Sequence, residues 1–222
     1  MTIGEAYLSF INKVEQNATN DGYSADKNRF ITLFNAAQVK FVEWVLDKGN
    51  DDDRRYIQQI KVTSQPLDKN NSKDTYTSFA LPKDYLENLH PTAKIRKTPC
   101  GLRIVKLWEV KDENLDELWH DEFNSPSFDP PETYYTISGG HLNIYKKDFQ
   151  VETANLSYYR YPRMVDIEGY IRADGSTSSN IDPEWDDRVT ERIISICAKD
   201  FSASLENTNK YQIEQNQIAN KF

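Results

Sequence analysis

The chain has 222 residues, a formal net charge of −8 and 38% hydrophobic residues, long enough for one large domain or two small ones with a real core. A pI near 5.0 and a mean hydropathy of −0.76 argue against nonspecific nucleic-acid binding driven by overall charge. No apolar run approaches the roughly 20 residues of a membrane span. The opening MTIGEAYLSFINKVEQ carries Glu5 where a signal peptide needs an apolar core, so a soluble protein not secreted by that route is expected.

Thr2 to Gln16 reads as a first helix. Thr2 and Glu5 have capping-box spacing, and Ile3, Tyr7, Phe10, Ile11 and Val14 share a face. The polar stretch NATNDGYSAD is a loop by its Asn, Asp and Gly content. Asp26 to Asp47 is a stronger helix, with Phe30, Leu33, Phe34, Ala37, Phe41, Trp44 and Val45 on one side and Gly49 as its C-cap. Asn50 with Asp51–Asp53 starts either a short third helix through Ile60 or a lead into a strand at Ile60-Lys61-Val62.

Residues 63–75 are polar and read as a loop, and Lys83–Leu86 as a turn. From Thr92 to Pro162 the signals are mostly β. Leu102–Val110 and Asn155–Tyr161 alternate as strands, and Tyr134–Ile137 and Leu142–Tyr145 flank Ser138-Gly139-Gly140-His141 as a hairpin. Asp112 to His120 interrupts them as a helix. After an irregular stretch, Asp182 as N-cap and Pro183 at the first helical position predict a long helix to Glu206. Its stripe is Trp185, Val189, Ile193, Ile196, Cys197, Phe201 and Leu205, over roughly 35 Å at 1.5 Å per residue. The Asn- and Gln-rich segment after it, with Tyr211, Ile218 and Phe222 as a thin apolar face, is marginal as a helix alone and suited to being ordered by a partner.

The expected fold is therefore α+β: a bundle of long N- and C-terminal helices with an inserted antiparallel β domain and an extended C-terminal tail. The expected divisions are 1–62, 63–181, 182–206 and 207–222.

No catalytic motif is present: no P-loop, GxGxxG, GxSxG or HExxH. No catalytic residue, cofactor or metal ligand is therefore assigned, and the chain is expected not to be an enzyme. His120-Asp121-Glu122 resembles ligands, but adjacent residues point in different directions. Asp51–Asp53 lacks the glycine and spacing of a calcium loop and fits a helix start. Cys100 and Cys197, far apart in sequence, are expected to be two buried free thiols.

Among 13 Tyr, the series Tyr134, Tyr135, Tyr145, Tyr158, Tyr159 and Tyr161 has two readings. Alternate rings face the core and solvent of a sheet, or an outward set forms a sugar- or protein-binding face. Lys94, Arg96, Lys97, Arg103, Lys106 and Lys111 form a solvated basic face, a contact for an acidic neighbour, or part of a channel wall.

The order of elements, with FITLFNAAQVKFVEWVL, LPKDYL and IDPEWDDRVTERI, resembles the head–tail connector (adaptor, or ring) proteins of short-tailed bacteriophages, particularly the ring proteins of crAss-like phages. The resemblance implies a structural virion protein at the head–tail junction, made in the host cytoplasm and present as a ring of about twelve copies. Implied partners are the portal protein, other neck or tail rings and further copies of itself, with genomic DNA passing through the lumen without specific binding and no membrane. The family's C-terminal segment reaches a neighbour. Carried onto this chain, that role falls to Asn207–Phe222, with Tyr211, Ile213, Ile218 and Phe222 as partner-binding residues. The alternative is a carbohydrate- or surface-binding module using the tyrosine-rich β face.

Overall fold

A computed structural model describes residues 1–17, 26–50, 52–121, 123–172 and 174–219; the side chains of 16–17 and of 205–219 lie outside that description. The fold is mixed α+β and divides into two compact units. One joins Met1–Gln59 to Pro162–Phe222, and the other is Ile60–Tyr161. Residues 162–181 thus group with the helices. No helix among the described residues is long and apolar enough to cross a membrane.

The helical unit contains α1 (Ile3–Asn17), α2 (Lys27–Lys48) and α4 (Asp187–Ala219). The expected capping box opens α1: Glu5 Oε2 accepts from Thr2 N at 2.8 Å and Thr2 Oγ1 from Glu5 N at 3.3 Å. Asp26 caps α2 by accepting from Arg29 N at 2.6 Å. Gly49 closes α2 in an extended, negative-φ conformation. Glycine is needed there for space, since a Cβ would stand 2.4 Å from the Val45 carbonyl oxygen.

Both helices dock on α4. Phe10, Phe30, Phe34 and Phe201 are fully buried, with ring centroids 5.1 Å apart for Phe10–Phe30 and 5.6 Å for Phe10–Phe201. Because partners sit on two sides of α4, Ile194 and Ala198 are buried beside the expected Val189, Ile193, Cys197 and Phe201. Leu205 lies outside the described side chains.

Three expectations are corrected here. The arrangement is two helices set on one shared helix, rather than a bundle of long terminal helices. The segment after residue 206 is not an extended tail, because α4 continues as helix to Ala219. And α4 begins at Asp187, not at Asp182. Asp186 Oδ1 accepts from Val189 N at 2.8 Å, while Asp182 Oδ1 is used by Ile3 N at the same distance. Trp185 precedes the helix, buried with its indole N–H donating to Gln38 Oε1 at 2.7 Å.

A 3-10 turn at Asp53–Ile60 leads straight into the β unit, resolving the alternatives for that stretch. Asn50 and Asp53 bond each other's backbone N–H groups reciprocally, the expected helix-start chemistry. The strands are β1 (Lys61–Pro66), β2 (Lys69–Ser72), β3 (Tyr76–Ala80), β4 (Tyr85–Lys97), β5 (Gly101–Glu109), β6 (Glu132–Ser138), β7 (His141–Tyr145) and β8 (Gln150–Arg160). They form one 8-stranded sheet in the order β1-β8-β4-β5-β6-β7-β3-β2.

The first and last strands of that order are consecutive in sequence, with Leu67 and Asp68 between them. Leu67 N donates to Ala154 O, extending the β1–β8 ladder, and Ala80 N donates to Asp68 O, extending β2–β3. One bent strand therefore belongs to both ends of the sheet, and the sheet curls round a single core. Phe79, Ile95, Leu107, Leu142, Ile144 and Val151, drawn from β3, β4, β5, β7 and β8, lie in one buried cluster. Gly139 and Gly140, both at positive φ, make the expected β6–β7 turn.

The insert is not wholly antiparallel, because β5 and β6 run parallel. A parallel return needs a long crossover. Residues 110–131 supply it, including α3 (Leu115–His120).

Candidate functional site

Strand register builds an aromatic row on the outer face of the β unit. Leu107, Tyr135 and Ile144 point into the core, so alternation turns Trp108, Tyr134 and Tyr145 outward. Tyr76 pairs with Tyr145 across β3 and β7, and Trp108 pairs with Tyr134 across β5 and β6. Ring centroids are 5.7 Å apart for Tyr76–Tyr145 and 5.2 Å for Tyr134–Tyr145. A lysine sits over each end of the row: Lys73 Nζ lies 5.1 Å from the Tyr76 centroid and Lys106 Nζ 3.9 Å from Trp108.

Above this row lies α3, none of whose residues is fully buried. On one side a cavity of about 290 Å³ is bounded by Leu115, Trp119, Tyr134 and Tyr145. On the other a larger cleft of about 420 Å³ has Trp108 and Tyr134 along it, with Leu118 and Phe123 as further apolar walls. Its polar lining comes from Asn124, Ser125, Asp129, Glu132 and Thr133.

Tyr134 lines both cavities and is 3% exposed. Its hydroxyl has no hydrogen-bond partner among the described residues. Burial, with a smaller contribution from Tyr145, pushes its pKa up to about 12, so the group stays protonated at neutral pH. The next residue is fully occupied: Tyr135 OH donates to Glu109 Oε2 at 3.0 Å and accepts from Asn88 Nδ2 at 2.7 Å. Desolvation, then Glu109, raises the Tyr135 pKa as well.

β5 carries a second feature. Leu102, Ile104 and Trp108 alternate along one side and are 49%, 69% and 50% exposed. Lys94 and Arg96 stand opposite Ile104 and Leu102 on β4.

The structure sorts the residues singled out in the sequence. Tyr134, Tyr135, Tyr158 and Tyr159 are all buried, and Tyr161 is 45% exposed. The series is thus neither a strict alternation nor an open tyrosine face. Of the basic group, four residues face carboxylates: Arg96 with Glu152 (2.9 Å), Lys97 with Asp148, Arg103 with Asp129 (3.3 Å) and Lys106 with Glu132 (3.9 Å). These pairings neutralise much of the basic face.

Cys100 is exposed rather than buried, because it sits at the β4–β5 turn, while Cys197 is buried as expected. Among the described residues no group of His, Cys, Asp and Glu is arranged to hold a metal ion. His120 bonds the Asp116 carbonyl oxygen through Nδ1, and Glu122 and Asp51 lie outside the described residues.

Tyr211, Ile213 and Ile218 fall on the helical backbone of α4, with side chains outside the described set; Phe222 is outside it altogether. Tyr76, Trp108 and Trp119 were not singled out in the sequence. Trp108 lies 26 residues from Tyr134 in number but beside it in register, and only strand pairing reveals that. No protein-family model matches the chain, and no curated protein matches it by sequence.

Proposed function

We propose that the chain is a non-enzymatic structural subunit of a phage neck, assembled as a ring of about twelve copies between the portal and the tail. The observation that carries this reading is the row of Leu102, Ile104 and Trp108, 49%, 69% and 50% exposed along β5. Isolated exposed apolar residues are ordinary, whereas several on one strand face, rimmed by Lys94 and Arg96, mark a surface built for a protein contact. The sequence resemblance to connector proteins supplies the kind of assembly.

On this reading the end of α4 is the portal-reaching segment, carrying Tyr211, Ile213 and Ile218 with Phe222 beyond it. Other neck or tail rings contact the assembly, and the protein resides at the head–tail junction of the virion after synthesis in the host cytoplasm. An acidic lumen wall would repel phosphate and let genomic DNA pass without specific binding, in keeping with the net charge of −8.

Native mass spectrometry tests this, on the chain alone and mixed with the portal protein of the same phage. A closed oligomer near twelve copies is expected in at least one condition. Ile104→Glu, at an exposed site where the fold tolerates a charge, should reduce it to monomer. Absence of any oligomer in both conditions, or an oligomer indifferent to Ile104→Glu, refutes the proposal as argued from β5.

A further inference from the structure

We propose that the larger cleft beside α3 is a binding site for a neutral saccharide of about two sugar rings. The inference goes beyond the assembly reading, with which it shares Trp108.

Three properties of the cleft fix the ligand class. The first is the aromatic content. Trp108 is half exposed on the cleft wall, Phe123 is 95% exposed at its rim, and Tyr134 lies along it. Flat apolar rings match the C–H faces of a pyranose and bury area at low entropic cost.

The second is the distribution of hydrogen-bonding groups. Asn124, Ser125, Asp129, Glu132 and Thr133 line the same volume, giving the mixed donors and acceptors that vicinal hydroxyls require. Thr133 spends its own hydroxyl on the Tyr145 carbonyl oxygen at 2.7 Å. The Tyr134 hydroxyl has no partner among the described residues although the residue is 97% buried by surface. The hydroxyl oxygen is itself buried, so Tyr134 gives the cleft its ring and not a hydrogen bond to a ligand.

The third is charge. Asp129 faces Arg103 at 3.3 Å and Glu132 faces Lys106 at 3.9 Å, while Lys147 Nζ reaches Ser125 Oγ at 3.5 Å. With carboxylates and cations both present, the cleft favours neither an anion nor a cation. A volume of about 420 Å³ lies at the small end of ligand pockets, on the order of 300–1,000 Å³.

The experiment uses the whole chain with lactose, maltose, cellobiose and N,N′-diacetylchitobiose. Each is offered at about 10 mM, which detects affinities in the millimolar class. Ligand-observed saturation-transfer NMR and tryptophan fluorescence report binding. At least one disaccharide should bind. Trp108→Ala should weaken it about tenfold or more by loss of the stacking wall.

Phe123→Ser, at a residue too exposed to matter for folding, should also weaken binding and guards against a variant that merely unfolds. No signal from any of the four sugars overturns the proposal. So does binding that survives both Trp108→Ala and Phe123→Ser. Because Trp108 also belongs to the β5 row, ring assembly is read by Ile104→Glu, at a residue outside the cleft lining.

Discussion

Replacing Asp166 with asparagine probes the segment between β8 and α4, which belongs to the helical unit. Asp166 is 5% exposed. Its carboxylate accepts from Tyr170 OH at 2.7 Å and from Ser179 N at 3.0 Å, and it also pairs with Arg172. Burial alone would raise its pKa. The Ser179 N–H, the Tyr170 hydroxyl and Arg172 outweigh that and lower it from 3.8 to about 2.

At about 1.36 kcal/mol per unit, the charged form is favoured in the folded state by about 2 kcal/mol. Because the folded carboxyl titrates below the unfolded one, this contribution is fully present above about pH 4 and disappears as pH falls through about 2. Asp166→Asn keeps the shape and removes the charge. Urea unfolding followed by helical circular dichroism reports the right unit, since α1, α2 and α4 all belong to it. The wild-type advantage should be about 2 kcal/mol at pH 7 and should shrink steadily below pH 4. A difference that is absent at pH 7, or one that persists unchanged at pH 2.5, refutes the reasoning.

Three further outcomes are expected. Gln38→Leu strands the buried Trp185 N–H and should lower the unfolding free energy by about 1–3 kcal/mol, seen as a lower urea midpoint at unchanged slope. A thiol reagent should modify the exposed Cys100 in the native protein and leave Cys197 untouched until unfolding. Burial and then Asp200 push the Cys197 thiol up to about 12, so Cys100→Ser should remove the fast reaction. Deleting residues 207–222 should leave the unfolding midpoint of the helical unit unchanged, because the buried row of α4 from Val189 to Phe201 precedes the cut. It should abolish capture by the portal protein in a pull-down; collapse of the fold would refute the docking role given to that segment.

Where local chemistry decides structure, the sequence was readable. The Thr2–Glu5 capping box, the Asp26 cap and the Gly139-Gly140 turn each depend on residues within a few positions of one another. Where the deciding partner is distant, it was not. Asp182-Pro183 carries a stronger helix-start signal than Asp186, yet Asp182 is drawn off to Ile3, 179 residues away.

β1, offered only as one alternative at Ile60-Lys61-Val62, and β2 fall largely in the stretch 63–75 that reads as a loop, for a different reason. Their side chains are nearly all exposed and polar, so they show no alternation, and backbone ladders alone define them. The neighbours Tyr134 and Tyr135 are both buried because one enters the core while the other borders the cavities beside α3. A sheet covered on two faces erases the period-two signal. The candidate cleft was legible only in its ingredients, since its rings and polar groups come from β5, β6, α3 and the loop between them.

The bent strand through Leu67 and Asp68 has a consequence for how this protein can meet others. An open sheet ends in two rows of unsatisfied backbone groups that recruit further strands and lead to aggregation or swapping. Here the two ends are shared by one short stretch of chain, and its halves are six and four residues long. Each half is interrupted by a bulge, and Lys61, Pro66 and Lys69 stand along them, all features that discourage strand addition. A molecule so protected can be packed at high local concentration without zipping to its neighbours. Its partners must then recognise side chains on faces and helix ends, not backbone.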